Sequence, residues 1–227
     1  MITATLPEGE LHRAIKTISL FTGSTVPVTK LIRMRIVADQ VILTATDGFQ
    51  ATMIRVPADT VSDDGEWWAD RRGATLIPAS TVATALASLT PYRQRGKDRV
   101  GRYAKVSISG DSRDADQLSR ISADESPDLI VWEPSDERFP QVDRLVARAI
   151  TMSATAEARH LALDPEYLAL VARAKWSPRD RLEISPAEYA KPVLVTVGDH
   201  LLSMIMPLRD EKGPEPIVAS WESLVQG

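Results

Sequence analysis

The residue types that carry covalent or metal chemistry are thinly spread in this chain. Its three histidines, His12, His160 and His200, stand far apart, and none has the His-x-x-x-His or Glu-flanked spacing that sets two ligands on one helix face. There is no cysteine, which excludes a thiolate metal site, a cysteine nucleophile and a disulfide scaffold together. No Gly-rich phosphate loop or G-x-S-x-G elbow occurs, and the acidic stretches "SDDGE" and "DSRDADQ" read as solvated turns. Of the five tryptophans, Trp67, Trp68, Trp132 and Trp176 read as core plugs or loop anchors rather than base-stacking platforms. Trp221 lies in a tail that reads as disordered. The chemistry that remains is that of binding: a polar, Gly-containing corner at 45–51, "ATDGFQA", a closing "SMIMPLR", and scattered Lys and Arg. The expectation is a protein that is not an enzyme and holds no cofactor or metal.

The elements that position these residues follow from periodicity. "EGELHRAIKTISLF" predicts a helix with Leu11, Ala14, Ile15, Ile18 and Leu20 on one side and His12, Arg13 and Lys16 on the other. In "LIRMRIVADQVILTATDGFQATMIRV", Ile32, Met34 and Ile36 alternate with Arg33 and Arg35 as a strand requires, with tight turns at Asp39-Gln40 and Asp47-Gly48. With a strand at 2–6, the first unit reads strand, helix, three strands. The order returns with a strand at Ala74–Ile77, a helix in "ASTVATALASL" with a Val82, Leu86, Leu89 stripe, and strands at "YAKVSIS", "QLSRIS" and "DLIVWE". It returns again with a strand at "RHLALD", a helix in "PEYLALVARAK" opened by Pro165, and strands at "DRLEIS", "PVLVTV" and "LLSMIMPL". Three units of one order constitute an internal repeat. The domains expected are 1–133, holding units at 1–60 and 74–133, then 134–210 as linker plus third unit, and 211–227 as flexible tail. "VDRLVARAI" adds a helix-like pattern between the second and third units.

Bulk composition agrees with a folded binding protein. A chain of 227 residues, 44% hydrophobic and 26% charged, buries one large core or two smaller ones. No stretch approaches ~18 uninterrupted apolar residues and the N-terminus lacks a secretory pattern, so the expectation is no membrane and a cytoplasmic location. The net charge of -4 repels nucleic acid unless basic residues gather on one surface.

The repeat order, together with "ATDGFQA", "RFPQVDRLV" and "SMIMPLR" each in its place, resembles the bacterial-type DNA polymerase sliding clamps, the beta-clamp family. The resemblance covers most of residues 1–209. It implies an α+β fold, the DNA clamp fold, with helices on an inner face and antiparallel sheets outside. It also implies a closed ring that holds duplex DNA by topology without reading sequence. DNA polymerase and a clamp loader would dock by short peptide motifs in a groove. The implied groove comprises Thr46, Gly48, Phe49, Gln50 and Ala51, then Pro140 and Leu145, then Pro192, Met204, Met206, Pro207, Leu208 and Arg209. Met and Leu adapt to varied apolar partners, and proline shapes a wall without donating hydrogen bonds. The corner and the Met206-Pro207-Leu208 strand are expected to form facing walls.

On the inner helices the resemblance implies DNA-facing cations: Arg13 and Lys16, then Arg93, Arg95 and Lys97, then Arg173 and Lys175. Such contacts are sequence-blind and weak enough to slide. Three units where the family has six imply self-assembly into a homo-oligomeric ring, a tetramer, or a trimer if 134–160 hold a degenerate fourth unit. The corner departs from the family's usual His-Arg-Leu continuation, reading Phe49-Gln50-Ala51. The chain also continues for eighteen residues past Arg209. The competing function is a clamp-fold decoy or regulator that binds clamp-interacting peptides without encircling DNA.

Overall fold

A computed structural model describes residues 1–63, 74–89, 102–108, 119–123, 129–132, 138–153, 162–185 and 191–208. The chain divides into two compact units, Met1–Pro140 and Gln141–Gly227.

The first unit holds two of the repeats. The first contributes β1 (Ile2–Pro7), α1 (Glu8–Ile18), β2 (Ile32–Val37), β3 (Gln40–Thr46) and β4 (Gln50–Pro57), followed by a short β5 (Thr60–Asp63). The second contributes β6 (Ala74–Ile77), α2 (Ala79–Ser88), β7 (Tyr103–Ile108), β8 (Ser119–Ala123) and β9 (Leu129–Trp132). Neither repeat keeps its own opening strand. One antiparallel sheet runs β5-β1-β7-β8-β9, so β1 of the first repeat joins the strand run of the second. The other runs β4-β3-β2-β6, so β6 of the second joins the run of the first. The registers are continuous, from Ile2 opposite Ile108 to Pro7 opposite Tyr103, and from Ile32 opposite Ile77 to Arg35 opposite Ala74. Trp132 on β9 donates its indole N–H to Thr75 on β6 (2.9 Å), tying one sheet to the other.

The alternation read in β2 is the observed one: Ile32, Met34 and Ile36 are buried while Arg33 and Arg35 are half-buried. Its turn into β3 is shifted by one residue from the expected Asp39-Gln40. Ala38 takes a positive φ of 52°, and Val37 pairs with Gln40 across it. β5 was not expected, because its polar sequence shows no apolar alternation. It is an edge strand with β1 as its neighbour, so it needs backbone partners more than a buried face.

α1 packs against β3, β4 and α2, and α2 also packs against β9. Contact on two sides widens the buried arc of α1 beyond one stripe. Leu11, Ala14, Ile15 and Ile18 are buried as expected, and so are Glu8, His12 and Thr17. Two expectations are corrected: His12 faces the helix seam at 8% exposure instead of water, and Leu20, in the 3-10 turn that follows, is 37% exposed.

In the second unit, α3 (Val142–Ser153), the realised form of the "VDRLVARAI" pattern, buries Val142, Val146 and Ala149. α4 (Pro165–Arg173) starts at an Asp164 cap that accepts the Glu166 N–H at 2.9 Å, with Pro165 at its first position. Both helices contact β11 (Val193–Val197), which lies between β10 (Leu182–Ile184) and β12 (Leu201–Ile205) in an antiparallel arrangement. The strand expected at "RHLALD" is absent from its described part, 162–164, where Asp164 is used as the cap; the rest, His160 included, lies outside the described residues. β12 ends at Ile205, so Met206-Pro207-Leu208 is an extension beyond the strand, consistent with a proline that has no ladder donor. Trp176 stacks on the buried His200 with centroids 4.0 Å apart, and the His200 Nε2 lies 3.2 Å from the Ala174 carbonyl oxygen. Among the described residues, no helix is long and apolar enough to cross a membrane.

His12 gives this packing a pH dependence. Burial lowers its pKa below the ordinary 6.5 and the Lys16 charge adds to this, outweighing the Leu86 carbonyl and Glu8, which favour the proton. The folded chain therefore binds this proton less readily than the unfolded chain. Its contribution to stability is complete above about pH 6.5 and declines as pH falls below that value toward the lower folded-state pKa. Denaturant midpoints measured at pH 7.5 and 5.5 will show a larger drop for the native chain than for His12→Gln; equal drops would place the titration elsewhere.

Candidate partner-binding corner and helix faces

The β3–β4 connection is built from side chains that satisfy the turn by themselves. Thr46 and Ala51 close the ladder. Thr46 donates its hydroxyl to the Gln50 carbonyl (2.7 Å) and accepts the Gly48 N–H (3.1 Å). The Asp47 carboxylate accepts the N–H groups of Phe49 (2.8 Å) and Gln50 (2.7 Å). Gly48 has φ of +102° and open space where a Cβ would stand, so backbone conformation rather than crowding calls for glycine. A second loop supports the corner from behind. Gly23 donates to the Thr29 carbonyl (2.8 Å), and a Cβ at Gly23 would run into the Thr29 side chain and come within 3.2 Å of the Asp47 Cα.

With its polar groups tied inward, the corner presents Phe49 outward at 65% exposure. Thr46, Gln50 and Ala51 are buried at 5%, 3% and 5%. Phe49 is therefore the side chain of this corner that offers apolar surface, and Gln50 is turned into the structure. Pro140, which ends the first unit, is half-buried.

The other groove candidates belong to the second unit. Leu145 on α3 is 50% exposed, Met206 39% and Leu208 53%, whereas Met204 in β12 is 6% exposed. Pro192 and Pro207 are half-buried. The Leu208 N–H donates to the Ala162 carbonyl (2.9 Å), which fixes the extension after β12 to the chain leading into α4. Arg209 lies outside the described residues. Among the candidates described, four large apolar side chains are available for contact: Phe49, Leu145, Met206 and Leu208.

Of the basic candidates, Lys16 is exposed and Arg13 half-buried, both on the stripe of α1 that also carries Gly9. Arg173, in the last turn of α4, and Lys175 just after it are exposed. Arg93, Arg95 and Lys97 lie outside the described residues, as do Trp67, Trp68 and Trp221. The sequence reasoning did not single out Arg144 and Arg148, which α3 exposes; their i, i+4 spacing was the available signal.

Replacing Asp47 by Ala leaves two turn N–H groups without their acceptor and will cost about 1–2 kcal/mol. Thermal and denaturant unfolding will show this loss, and an unchanged midpoint would mean that water replaces the carboxylate at no cost.

No family model and no curated protein sequence matches the chain. Solved structures do. The chain is similar to the DNA polymerase sliding clamp of Pseudomonas aeruginosa, with a TM-score of 0.61 at 12% identity over 92% of this chain and 66% of that one. It is equally similar to the DNA polymerase III beta subunit of Thermotoga maritima, with a TM-score of 0.61 at 11% identity over the same shares of the two chains. The chain thus spans just under two thirds of the length of these proteins. With its two antiparallel sheets and few helices, the chain has the fold of the bacterial DNA polymerase sliding clamps.

Proposed function

We propose that the chain is a DNA sliding clamp: a ring-forming processivity factor that encircles duplex DNA and tethers DNA polymerase and the clamp loader through short peptides. The observation that carries the proposal is the repeat architecture, in which two strand-helix-three-strand repeats exchange opening strands, in a fold shared with sliding clamps over 92% of the chain. In this role the protein tethers rather than catalyses, and it works where DNA is replicated, in the cytoplasm.

Three features support the reading. Lys16 on α1, and Arg173 and Lys175 at and just after the end of α4, are exposed, and half-buried Arg13 lies beside Lys16. Phe49, Leu145, Met206 and Leu208, all among the proposed groove residues, are exposed apolar side chains. Among the described residues β10 has β11 as its only strand neighbour within its unit and exposes Leu182 (39%) and Ile184 (51%), an open edge suited to a second copy of the chain. The assembly proposed is a homo-oligomeric ring, a trimer or a tetramer.

Loaded onto nicked circular duplex, the protein will stay bound through a salt wash and be lost when the circle is cut with a restriction enzyme; light scattering will give a trimer or tetramer mass. A strict monomer at micromolar concentration overturns the ring. If that monomer still captures polymerase peptides, the chain acts as a regulator of clamp partners.

The groove has its own test. Met206→Ala combined with Leu208→Ala removes two exposed anchors and will weaken peptides taken from polymerase and loader subunits at least tenfold, on the order of 1–2 kcal/mol per anchor, with oligomer mass unchanged. Unaltered peptide affinity would place the groove elsewhere.

A further inference from the structure

We infer that residues 217–225 dock on the Met206-Pro207-Leu208 wall of their own chain and compete there with partner peptides, an inference that rests on the groove proposed above. The sequence after Arg209, "DEKGPEPIVASWESLVQG", lies outside the described residues and beyond the clamp resemblance. Within it Ile217, Val218, Trp221, Leu224 and Val225 stand at i, i+1, i+4, i+7 and i+8. At helical spacing these five share an arc of about 120°, with Ser220, Glu222, Ser223 and Gln226 elsewhere around the turn. Pro216, just ahead of the stripe, suits the first position of a helix. A helix this short is marginal in water, so it forms only where its stripe is covered.

The wall is the surface to which this stripe is tied. Met206 and Leu208 are exposed at 39% and 53%, just past the end of β12. The Leu208 N–H donates to the Ala162 carbonyl at 2.9 Å, which holds the wall in place up to the residue where the connection begins. Eight residues, Arg209 to Pro216, join Leu208 to the stripe and span at most about 29 Å. Gly213-Pro214 among them is a turn sequence, which lets the connection double back. Such a tether sets the stripe at an effective concentration on the order of 1 mM beside the wall, so a contact too weak to hold separate molecules is largely made within one chain. Trp221 is the anchor type that dominates peptide recognition, and the thioether of Met206 packs well on an aromatic ring. The segment is thus a tethered competitor, which a partner peptide must displace to reach Met206 and Leu208.

The test uses the full chain with Trp221→Ser and Leu224→Ser together, beside Met206→Ala with Leu208→Ala. Hydrogen exchange read by mass spectrometry should find the 217–225 amides protected in the native chain and unprotected in both double variants. A fluorescent peptide taken from a polymerase subunit should bind the Trp221→Ser, Leu224→Ser pair about tenfold tighter than the native chain, as displacing a tethered segment with an intrinsic dissociation constant of roughly 0.1 mM requires. Unprotected 217–225 amides in the native chain overturn the inference, and so does protection that survives Met206→Ala with Leu208→Ala. Protection that weakens on dilution assigns the occupant to a second copy and overturns docking within one chain. If the peptide binds the native chain and the Trp221→Ser, Leu224→Ser pair alike, the competition alone falls and the groove stands. If it binds neither, the groove reading falls and takes the competition with it.

Discussion

Backbone pairing of β1 with β7 and of β6 with β2 is the constraint on which the first unit depends. Each three-strand run has a free edge of N–H and C=O groups, and an unpaired edge in a packed domain costs free energy. The opening strand of the other repeat fills it. α1 begins at the residue after β1, and α2 follows β6 after Pro78 alone, so exchanging the strands also sets where the two helices start. They meet, and the α1–α2 seam with His12 facing the Leu86 carbonyl is a consequence of strand pairing rather than of helix propensity.

The same economy governs the corner after β3. Thr46 and Asp47 spend their oxygens on the backbone of the turn, and Gly48 supplies the one conformation that a side chain would strain. What the corner offers is Phe49, held by a rigid loop and supported by Gly23 and Thr29. Local hydrogen bonding thereby determines which side chain is free to bind: Gln50, next in sequence, is buried because β4 begins there.

Legibility from sequence followed the physics of each element. β2 was readable because alternation of Ile and Met with Arg is a direct image of one buried face, and α4 because Asp164-Pro165 is a start signal with a stereochemical cause. β5 was not readable, since an edge strand is specified by its neighbour's open backbone. The burial of His12 was not readable either, since it is caused by a second helix packing from a direction that one stripe cannot encode. α3 was visible as a pattern, yet its worth as a cation-bearing face depends on which residues β11 covers. Of the candidate groove residues, type alone could not separate exposed Met206 from buried Met204, because the separation comes from where β12 ends.

By itself the sequence determined most of the elements of the first two repeats and the recurrence of their order, the turn chemistry at Asp47-Gly48, and the poverty of catalytic groups. All of these are local or periodic properties, set by backbone sterics, side-chain hydrogen bonds and the spacing of apolar residues. Only the tertiary structure decided which strand runs receive β1 and β6, which side chains of the corner and of β12 remain exposed, and which helix residues are buried. Those outcomes depend on contacts between residues far apart in the chain, whose partners no local pattern names.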